Sequence, residues 1–313
     1  MGPEAPEVEV EDDPGRFRAG CSWGARGPGR VWDVRKPGRR FRRDNRRFGV
    51  GHVSEVRQRW RLVFARGEEA RYLSHLDTVR AWERAFRRGE IPVAVSEGFS
   101  PRSKLVFAAP LQLGMLAEHE LADLFLAERL SAPDLRDRLA AGLPRGYRVV
   151  DLHDVWVGAP ALAPQLVAAD YSMTLLGVEP ARAAGAISHL MAAAKLPRER
   201  HKEARSIAYD LRPLLLDLQV RAADPEAIPP DATAAAATGL WMRLRHSQNL
   251  GSGRTDEVIA ALAEEMGLTA HMAVGEGDDE GAAAGEAPAA GRPTLEMVRP
   301  VRERLWLVDE LTG

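Results

Sequence analysis

The segment Arg71–Leu126, RYLSHLDTVRAWERAFRRGEIPVAVSEGFSPRSKLVFAAPLQLGMLAEHELADLFL, sets the fold class of this chain of 313 residues. Ser74-His-Leu-Asp77 matches the Ser-x-x-Asp pattern that begins a helix, and Gly89 is the expected end of that helix. Apolar residues follow the start at helical spacing: Leu76, Val79, Trp82 and Phe86. The pattern therefore predicts an amphipathic helix that leads into a loop rich in Gly, Ser, Pro and basic residues.

The residues on either side of this helix indicate short strands. Alternation of apolar and basic residues predicts a strand over 59–66, and three further strands are predicted over Ile91–Ser96, Lys104–Ala108 and Glu120–Ala127. A helix over Ala132–Leu143 and a strand over Arg145–Val157 complete the pattern. If one extra hairpin strand is allowed, the order is β-α-β-β-α-β, which is that of a split βαβ, or ferredoxin-like, unit.

The pattern begins again after a Pro/Ala-rich joint at Gly158–Pro164. The second half is predicted to contain a strand around Tyr171–Leu175, a helix over Glu179–Ala194, a helix over Thr255–Met266 that Thr255 caps, and strands over 204–212, 214–221, 240–245 and 305–308. We therefore expect an α+β fold with two ferredoxin-like halves in tandem and a disordered N-terminal arm.

Composition divides the chain into five regions. They are a disordered acidic-then-basic arm over 1–56, the first half over 57–158, the second half over 165–275, a low-complexity Gly/Ala/acidic linker over 276–293 and a C-terminal segment over 294–313. The arm carries twelve Arg or Lys against two Asp between Arg16 and Arg47. Its Arg and aromatic residues suit single-stranded RNA, and a solvated linker is the alternative.

Several functional classes are excluded or disfavoured by the residues. The longest apolar runs are too short for a membrane span and the N-terminus does not resemble a signal peptide, so we expect a cytoplasmic protein. The sequence contains no P-loop, dinucleotide fingerprint, HExxH or nucleophile elbow, and we expect no bound metal and no nucleotide cofactor. Cys21 is the only cysteine, so this chain cannot supply the several thiolates that hold an iron–sulfur cluster.

The loop SEGFSPRSK, residues 96–104, is the strongest candidate site. Gly98 and Pro101 favour an unusual backbone path with free amide groups, Arg102 and Lys104 add positive charge, and Phe99 offers a stacking face. These residues suit a phosphate-bearing ligand. A structured hairpin with a solvated basic tip is the alternative.

His75 is the candidate catalytic residue. It lies at the predicted helix start with Asp77, where free amide groups favour an anion, and an imidazole there can bind phosphate or transfer protons. The alternative is a local capping role for both residues. The loop His246–Arg254 also suits phosphate, and a plain turn explains it equally well.

The segments named above resemble a bacterial family, the radical SAM-associated proteins of unknown function, over about residues 57–270. The match includes Glu97-Gly98-Phe99, Pro101, Arg102 and Lys104, whereas Val95, Ser100 and Ser103 stand where the family more often has Tyr, Asn and Pro. A second landmark is YDLRP, which contains Asp210 and Arg212. Both residues are candidates for a groove between the halves, or for an ion pair that fixes a strand end.

The resemblance implies that the chain acts with a radical SAM protein and handles RNA. Our leading hypothesis is an RNA-binding accessory protein for tRNA or rRNA modification, in which S-adenosylmethionine and the cluster belong to the partner. The candidate RNA or phosphate ligands are His75, Glu97, Gly98, Phe99, Pro101, Arg102, Lys104, Asp210 and Arg212. The alternatives are a metal-independent endoribonuclease that uses His75, and a docking module for the radical SAM protein that does not bind RNA.

Overall fold

A computed structural model describes residues 55–97, 101–202, 205–230, 236–247, 251–272 and 294–311. These residues all belong to one compact unit that spans residues 51–313. The arm predicted for residues 1–56 falls outside the described residues except at its last two positions, and the linker predicted for 276–293 falls wholly outside them. Both remain predictions.

The first half alternates strands and helices as its patterns predict. Its elements are β1 (Gln58–Arg66), α1 (His75–Arg88), β2 (Leu105–Phe107), β3 (Leu116–Leu126), α2 (Ala132–Gly142) and β4 (Tyr147–Val155). Both helices begin with a serine cap: the Oγ atoms of Ser74 and Ser131 accept hydrogen bonds of 3.2 Å from the amides of Asp77 and Asp134. These caps fix where each helix starts.

The second half is longer and less regular. Its elements are β5 (Leu166–Leu176), α3 (Pro180–Ala192), β6 (Pro197–Lys202), β7 (Arg205–Asp210), β8 (Leu215–Arg221), β9 (Ala237–Ser247), β10 (Gly251–Ser252), α4 (Thr255–Glu265), β11 (Thr269–Met272), β12 (Thr294–Leu307) and α5 (Val308–Leu311). The pair β6–β7 forms a separate hairpin.

The other ten strands form one mixed sheet that runs through both halves. The main order is β10-β9-β5-β12-β3-β1-β4, and β2 pairs with β3, β8 with β9 and β11 with β12. Most neighbours are antiparallel, whereas β12 is parallel to β11 and to β3. The fold is therefore a mixed α/β arrangement with a large sheet, and the described part of the chain contains five helices.

The helices cover one face of the sheet. Leu62 and Phe64 of β1 are buried against Trp82 and Phe86 of α1, and Phe64 lies edge-on to Trp82 with ring centroids 5.0 Å apart. A second core joins β5, β9 and β12 to α3 and α4. Alternation along each strand places the intervening residues on the opposite face.

Helices α1 and α2 approach each other so closely that glycine is needed at the crossing. A Cβ atom at Gly142 would lie 2.3 Å from the carbonyl oxygen of Ala85, and one at Gly89 would lie 2.4 Å from that of Arg138. No side chain fits at these separations. The crossing holds the C-terminal end of α1 beside α2 and fixes where the segment Ile91–Ser96 leaves the helix layer.

Several details differ from the sequence predictions. The predicted strand Ile91–Ser96 is not a continuous strand, because Val93 and Val95 form only isolated bridges, with Leu126 and Ser103. Leu76 was expected on the apolar stripe of α1 but is 59% exposed, because it lies in the first turn, beyond the core. Thr255 does not cap α4: Arg254 holds that position, and Thr255 donates from Oγ1 to Gln112 Oε1 at 3.3 Å. The predicted last strand, 305–308, is the end of a strand of 14 residues that lies between β3 and β5.

Candidate functional site: the basic hairpin and the cavity under His75

The residues on either side of the predicted loop pair with each other as in a hairpin. Val95 and Ser103 form an antiparallel bridge, the amide of Ser96 donates to the carbonyl of Arg102 at 2.8 Å, and the amide of Arg102 donates to Ser96 Oγ at 3.0 Å. Gly98, Phe99 and Ser100 lie outside the described residues, so their predicted roles stay predictions. The bonds on both sides nonetheless bring positions 96 and 102 together.

The hairpin presents two cations. Arg102 is exposed and Lys104 is half-buried. Among the described residues, neither side chain has a carboxylate within ion-pair distance, and neither cation is neutralised there. Glu97 and Pro101 are also exposed. Cations without a carboxylate partner are available to a phosphate.

His75 is the first residue of α1 and is exposed. Its ring lies edge-on to Phe107 of β2, with centroids 5.6 Å apart. Asp77 is occupied locally, because its carboxylate accepts from Ser74 Oγ at 2.8 Å and from Arg80 at 3.2 Å. Those contacts lower the pKa of Asp77, with the Ser74 hydrogen bond as the largest cause. Asp77 therefore completes the cap, and His75 is left available.

A small cavity of about 20 Å³ lies under His75. That volume holds about one water-sized group. The lining is Phe64, Arg66, His75, Thr78, Phe107, Ala109, Leu111 and Glu120. The apolar walls come from the first core, and the polar groups come from β1, α1 and β3.

The charged residues behind this cavity are almost completely buried. Glu120 and Arg302 are 2% and 3% exposed, and their side chains form a bidentate pair with distances of 2.6 and 2.5 Å. Arg302 also donates to the carbonyls of Pro110 at 3.1 Å and Ala109 at 3.4 Å. The pair joins β12 to β3 and to the segment that links β2 with β3.

His75 and Lys104 lie on opposite sides of the sheet. Leu105 and Phe107 pack into the core on the helix-covered face, so strand alternation places Lys104 and Val106 on the opposite face. His75 contacts Phe107 from the helix side. A reaction that uses His75 together with Lys104 is not favoured by this arrangement.

Asp210 and Arg212 use their polar atoms within the chain. Asp210 Oδ1 accepts from the amides of Leu196 at 2.8 Å and Arg212 at 3.0 Å, and these hydrogen bonds lower the pKa of Asp210. Arg212 donates to the carbonyls of Leu215 at 2.8 Å and Met191 at 3.0 Å. The geometry therefore gives them a positioning role between α3, β7 and β8.

The sequence analysis did not single out His246 as a buried group. Its Nδ1 atom lies 3.0 Å from Ser252 Oγ, and its buried Nε2 atom has no hydrogen-bond partner among the described residues. Burial, with a smaller effect from the charge of Arg302, lowers the pKa of His246 from 6.5 to about 4. Because the unfolded chain binds a proton below pH 6.5 and the folded chain does not, His246 makes stability fall as pH drops from 6.5 towards 4.

We predict that the His246→Gln variant loses part of this pH dependence. Between pH 7 and pH 4, His246 is expected to account for about 3 kcal/mol of the decrease in the free energy of unfolding, since each pKa unit corresponds to about 1.4 kcal/mol. The variant should lack this decrease. Urea unfolding of both proteins at pH 7, 6, 5 and 4.5 measures it. Parallel stability curves for wild type and variant would show that His246 is not a buried neutral group.

With the geometry in place, the chain was compared with known proteins. The model of a family described as "Uncharacterized protein conserved in bacteria (DUF2344)" matches residues 59–249, more than half of the chain. The chain belongs to this family. The match begins at β1 and includes the basic hairpin, His75, Asp210 and Arg212, so the candidate residues lie inside the DUF2344 region.

The other comparisons add no function. No curated protein matches the sequence. A chain in the "Crystal Structure of a Cbf5-Nop10-Gar1 Complex" is similar at 7% identity and a TM-score of 0.36, over 78% of this chain and 49% of that one. This chain therefore spans about half the length of that relative.

The described residues contain no group of three or more His, Cys, Asp or Glu side chains arranged to hold a metal ion. Within the same residues, no helix has the length and apolar character required to cross a membrane.

Proposed function

We propose that this member of the DUF2344 family is an RNA-binding accessory protein that acts with a radical SAM partner in tRNA or rRNA modification. The observation that carries the RNA part is the hairpin. It carries Arg102 and Lys104, and neither has a carboxylate partner among the described residues. RNA phosphates would supply the missing negative charge.

The outer surface of α1 supports the same proposal. Arg84, Arg87 and Arg88 are exposed on it and have no ion pair within the described ranges. Only four residues separate Arg88 from Val93, where the hairpin begins to pair with β3. The basic positions thus continue along the chain from α1 into the hairpin.

We further propose that each half is a split βαβ unit. Strand pairing supports this, because β1 lies between β4 and β3, and β2 lies beyond β3. In the second half, β5 lies between β12 and β9, and β8 lies beyond β9. Four-stranded sheets of this kind are common in RNA-binding modules, which is fold-level support only.

The radical SAM part of the proposal rests on the resemblance of the SEGFSPRSK and YDLRP segments. Cys21 is the only cysteine of the chain, and a cluster held by three thiolates would have to come from another protein. The partner would therefore hold both the cluster and S-adenosylmethionine.

The test is equilibrium binding of the purified protein to tRNA and rRNA fragments at low salt. We predict that Arg102→Ala/Lys104→Ala binds at least about tenfold more weakly than wild type, since each lost phosphate contact removes counterion release. Arg148→Ala/Lys195→Ala removes the same charge from exposed positions on other elements and serves as the control. It is expected to bind nearly as wild type does.

Other outcomes would select a different function. Equal binding by both double variants would remove the hairpin from the interface. No binding at low salt would favour a docking module that does not contact RNA. RNA cleavage in EDTA that His75→Ala abolishes would favour the endoribonuclease, although Lys104 lies on the other face of the sheet from His75.

A further inference from the structure

Arg66 is a buried cation without a carboxylate partner. It is 3% exposed, and its guanidinium donates to the carbonyls of Met115, Gln112 and Leu73 at distances of 2.6 to 3.3 Å. The salt bridges of the described residues do not include Arg66. Carbonyl dipoles satisfy its N–H groups, but they do not cancel its charge.

The neighbouring charges leave an excess of one positive charge. Both carboxylate oxygens of Glu120 accept hydrogen bonds from Arg302. The region therefore contains one buried carboxylate and two buried guanidinium groups, and only Arg302 is paired with the carboxylate. Burial lowers the pKa of Arg66, whereas Tyr147 and then Glu120 raise it and Arg302 lowers it. An anion next to Arg66 would restore neutrality.

The cavity under His75 gives an anion access to this place. Arg66 and Glu120 form its inner wall, and the exposed ring of His75 lies at its rim. Thr78 also lines the cavity, and its hydroxyl lies 3.0 Å from that of Tyr147.

From this arrangement we propose that the cavity under His75 binds one non-bridging oxygen of an RNA phosphate, with Arg66 as the buried counter-charge. The inference rests on the proposed RNA binding and names a second phosphate contact on the helix-covered side, separate from the hairpin. The cavity volume of about 20 Å³ admits one oxygen atom and leaves the rest of the phosphate outside, beside His75. A metal cation is disfavoured because the excess charge is positive.

The first experiment uses inorganic phosphate and no RNA. The full chain is heated in sodium phosphate or in sodium chloride at the same ionic strength and pH 7, and the midpoint of unfolding is compared. We expect phosphate to raise Tm by roughly 2–4 °C, because an anion that binds only the folded state stabilises it by mass action. Equal Tm values in the two salts would overturn the proposal.

Ala109→Val is the diagnostic variant. It fills the cavity while keeping every charge, and the Ala109 carbonyl can still accept from Arg302. We expect it to abolish the phosphate response, whereas Ala184→Val, on the exposed side of α3, should keep it. If Ala109→Val fails to fold, the exposed rim variant His75→Ala should reduce the response by at least half. If phosphate raises the Tm of the folded variant as much as it raises that of wild type, the proposed anion site is wrong.

The same variant separates this inference from the proposed function. If phosphate raises the Tm of wild type, Ala109→Val abolishes this rise and the protein does not bind RNA, the anion site is supported and RNA binding is refuted. RNA binding without any phosphate response would refute the anion site and leave the hairpin proposal intact. Where both hold, Ala109→Val is expected to weaken RNA binding by roughly three- to tenfold.

Discussion

Arg302→Met is expected to lower the free energy of unfolding by about 3–5 kcal/mol, because it leaves the Glu120 carboxylate buried without its partner. The Arg302–Glu120 pair is the principal polar link between β12 and β3. The backbone pairing of these two strands consists of two residue pairs, Val301 with Leu116 and Arg302 with Ala117. Loss of Arg302 also removes donors from the carbonyls of Pro110 and Ala109. Urea denaturation at pH 7 measures the change.

The double variant Arg302→Met/Glu120→Leu is the control for this prediction. It removes both charges, so it should recover a large part of the lost stability, since a buried ion pair replaced by apolar residues is often neutral. A single variant within about 1 kcal/mol of wild type would contradict the buried pair as described. Additive losses in the double variant would show that the two side chains do not interact.

Asp123→Ala is expected to cost a similar amount, about 3–5 kcal/mol. Asp123 is 1% exposed and accepts hydrogen bonds from two guanidinium groups, those of Arg59 at 3.1 and 2.5 Å and Arg61 at 2.9 and 3.2 Å. Arg59 also donates to the carbonyls of Ala159 and Pro160 in the joint between the halves. Removing the carboxylate leaves Arg59 buried with carbonyl partners only.

Asp151→Ala is the matched control on strand β4, which lies on the other side of β1 from β3. Asp151 pairs with Arg136 and His153, but its side chain is 54% exposed, so its loss should cost at most about 1 kcal/mol. Thermal and urea unfolding of the two variants should therefore differ clearly. Comparable losses of stability in the two variants would mean that burial does not determine how strongly the Asp123 contacts stabilise the fold.

Local signals allowed the first half to be predicted well. The Ser74-His-Leu-Asp77 pattern begins α1 as predicted, α1 ends at Arg88, just before Gly89, and α2 begins at the predicted Ala132. The residues on either side of the predicted loop pair with each other, Val95 with Ser103. These features depend on contacts between residues near one another in the chain, and sequence patterns report such contacts directly.

Strand β12 could not be predicted at its full length. Its sequence, TLEMVRPVRERLWL, contains a proline and five charged residues and does not alternate cleanly. The strand is stable at the middle of the sheet because Arg302 meets Glu120, 182 positions earlier. A charge that is neutralised by so distant a residue leaves no local pattern.

The same reason explains which parts of the site were missed. Recognisable motifs contain His75, Arg102 and Lys104. Arg66, in contrast, has the sequence pattern of an ordinary polar residue at the end of an alternating strand. Its burial arises from the carbonyls of Gln112 and Met115, on the segment that precedes β3. Conversely, Asp210 and Arg212 stand out in the sequence, but their polar atoms bind nearby backbone groups.

The salt dependence of RNA binding tests the central claim most directly. The affinities of wild type and Arg102→Ala/Lys104→Ala for a single-stranded tRNA fragment would be measured at salt concentrations from about 50 to 300 mM. We predict that log K falls linearly with log salt for wild type, with a slope shallower by about 1.4 in the double variant, since each single-strand phosphate contact contributes about 0.7. Identical slopes, or no binding by wild type at the lowest salt, would contradict the account.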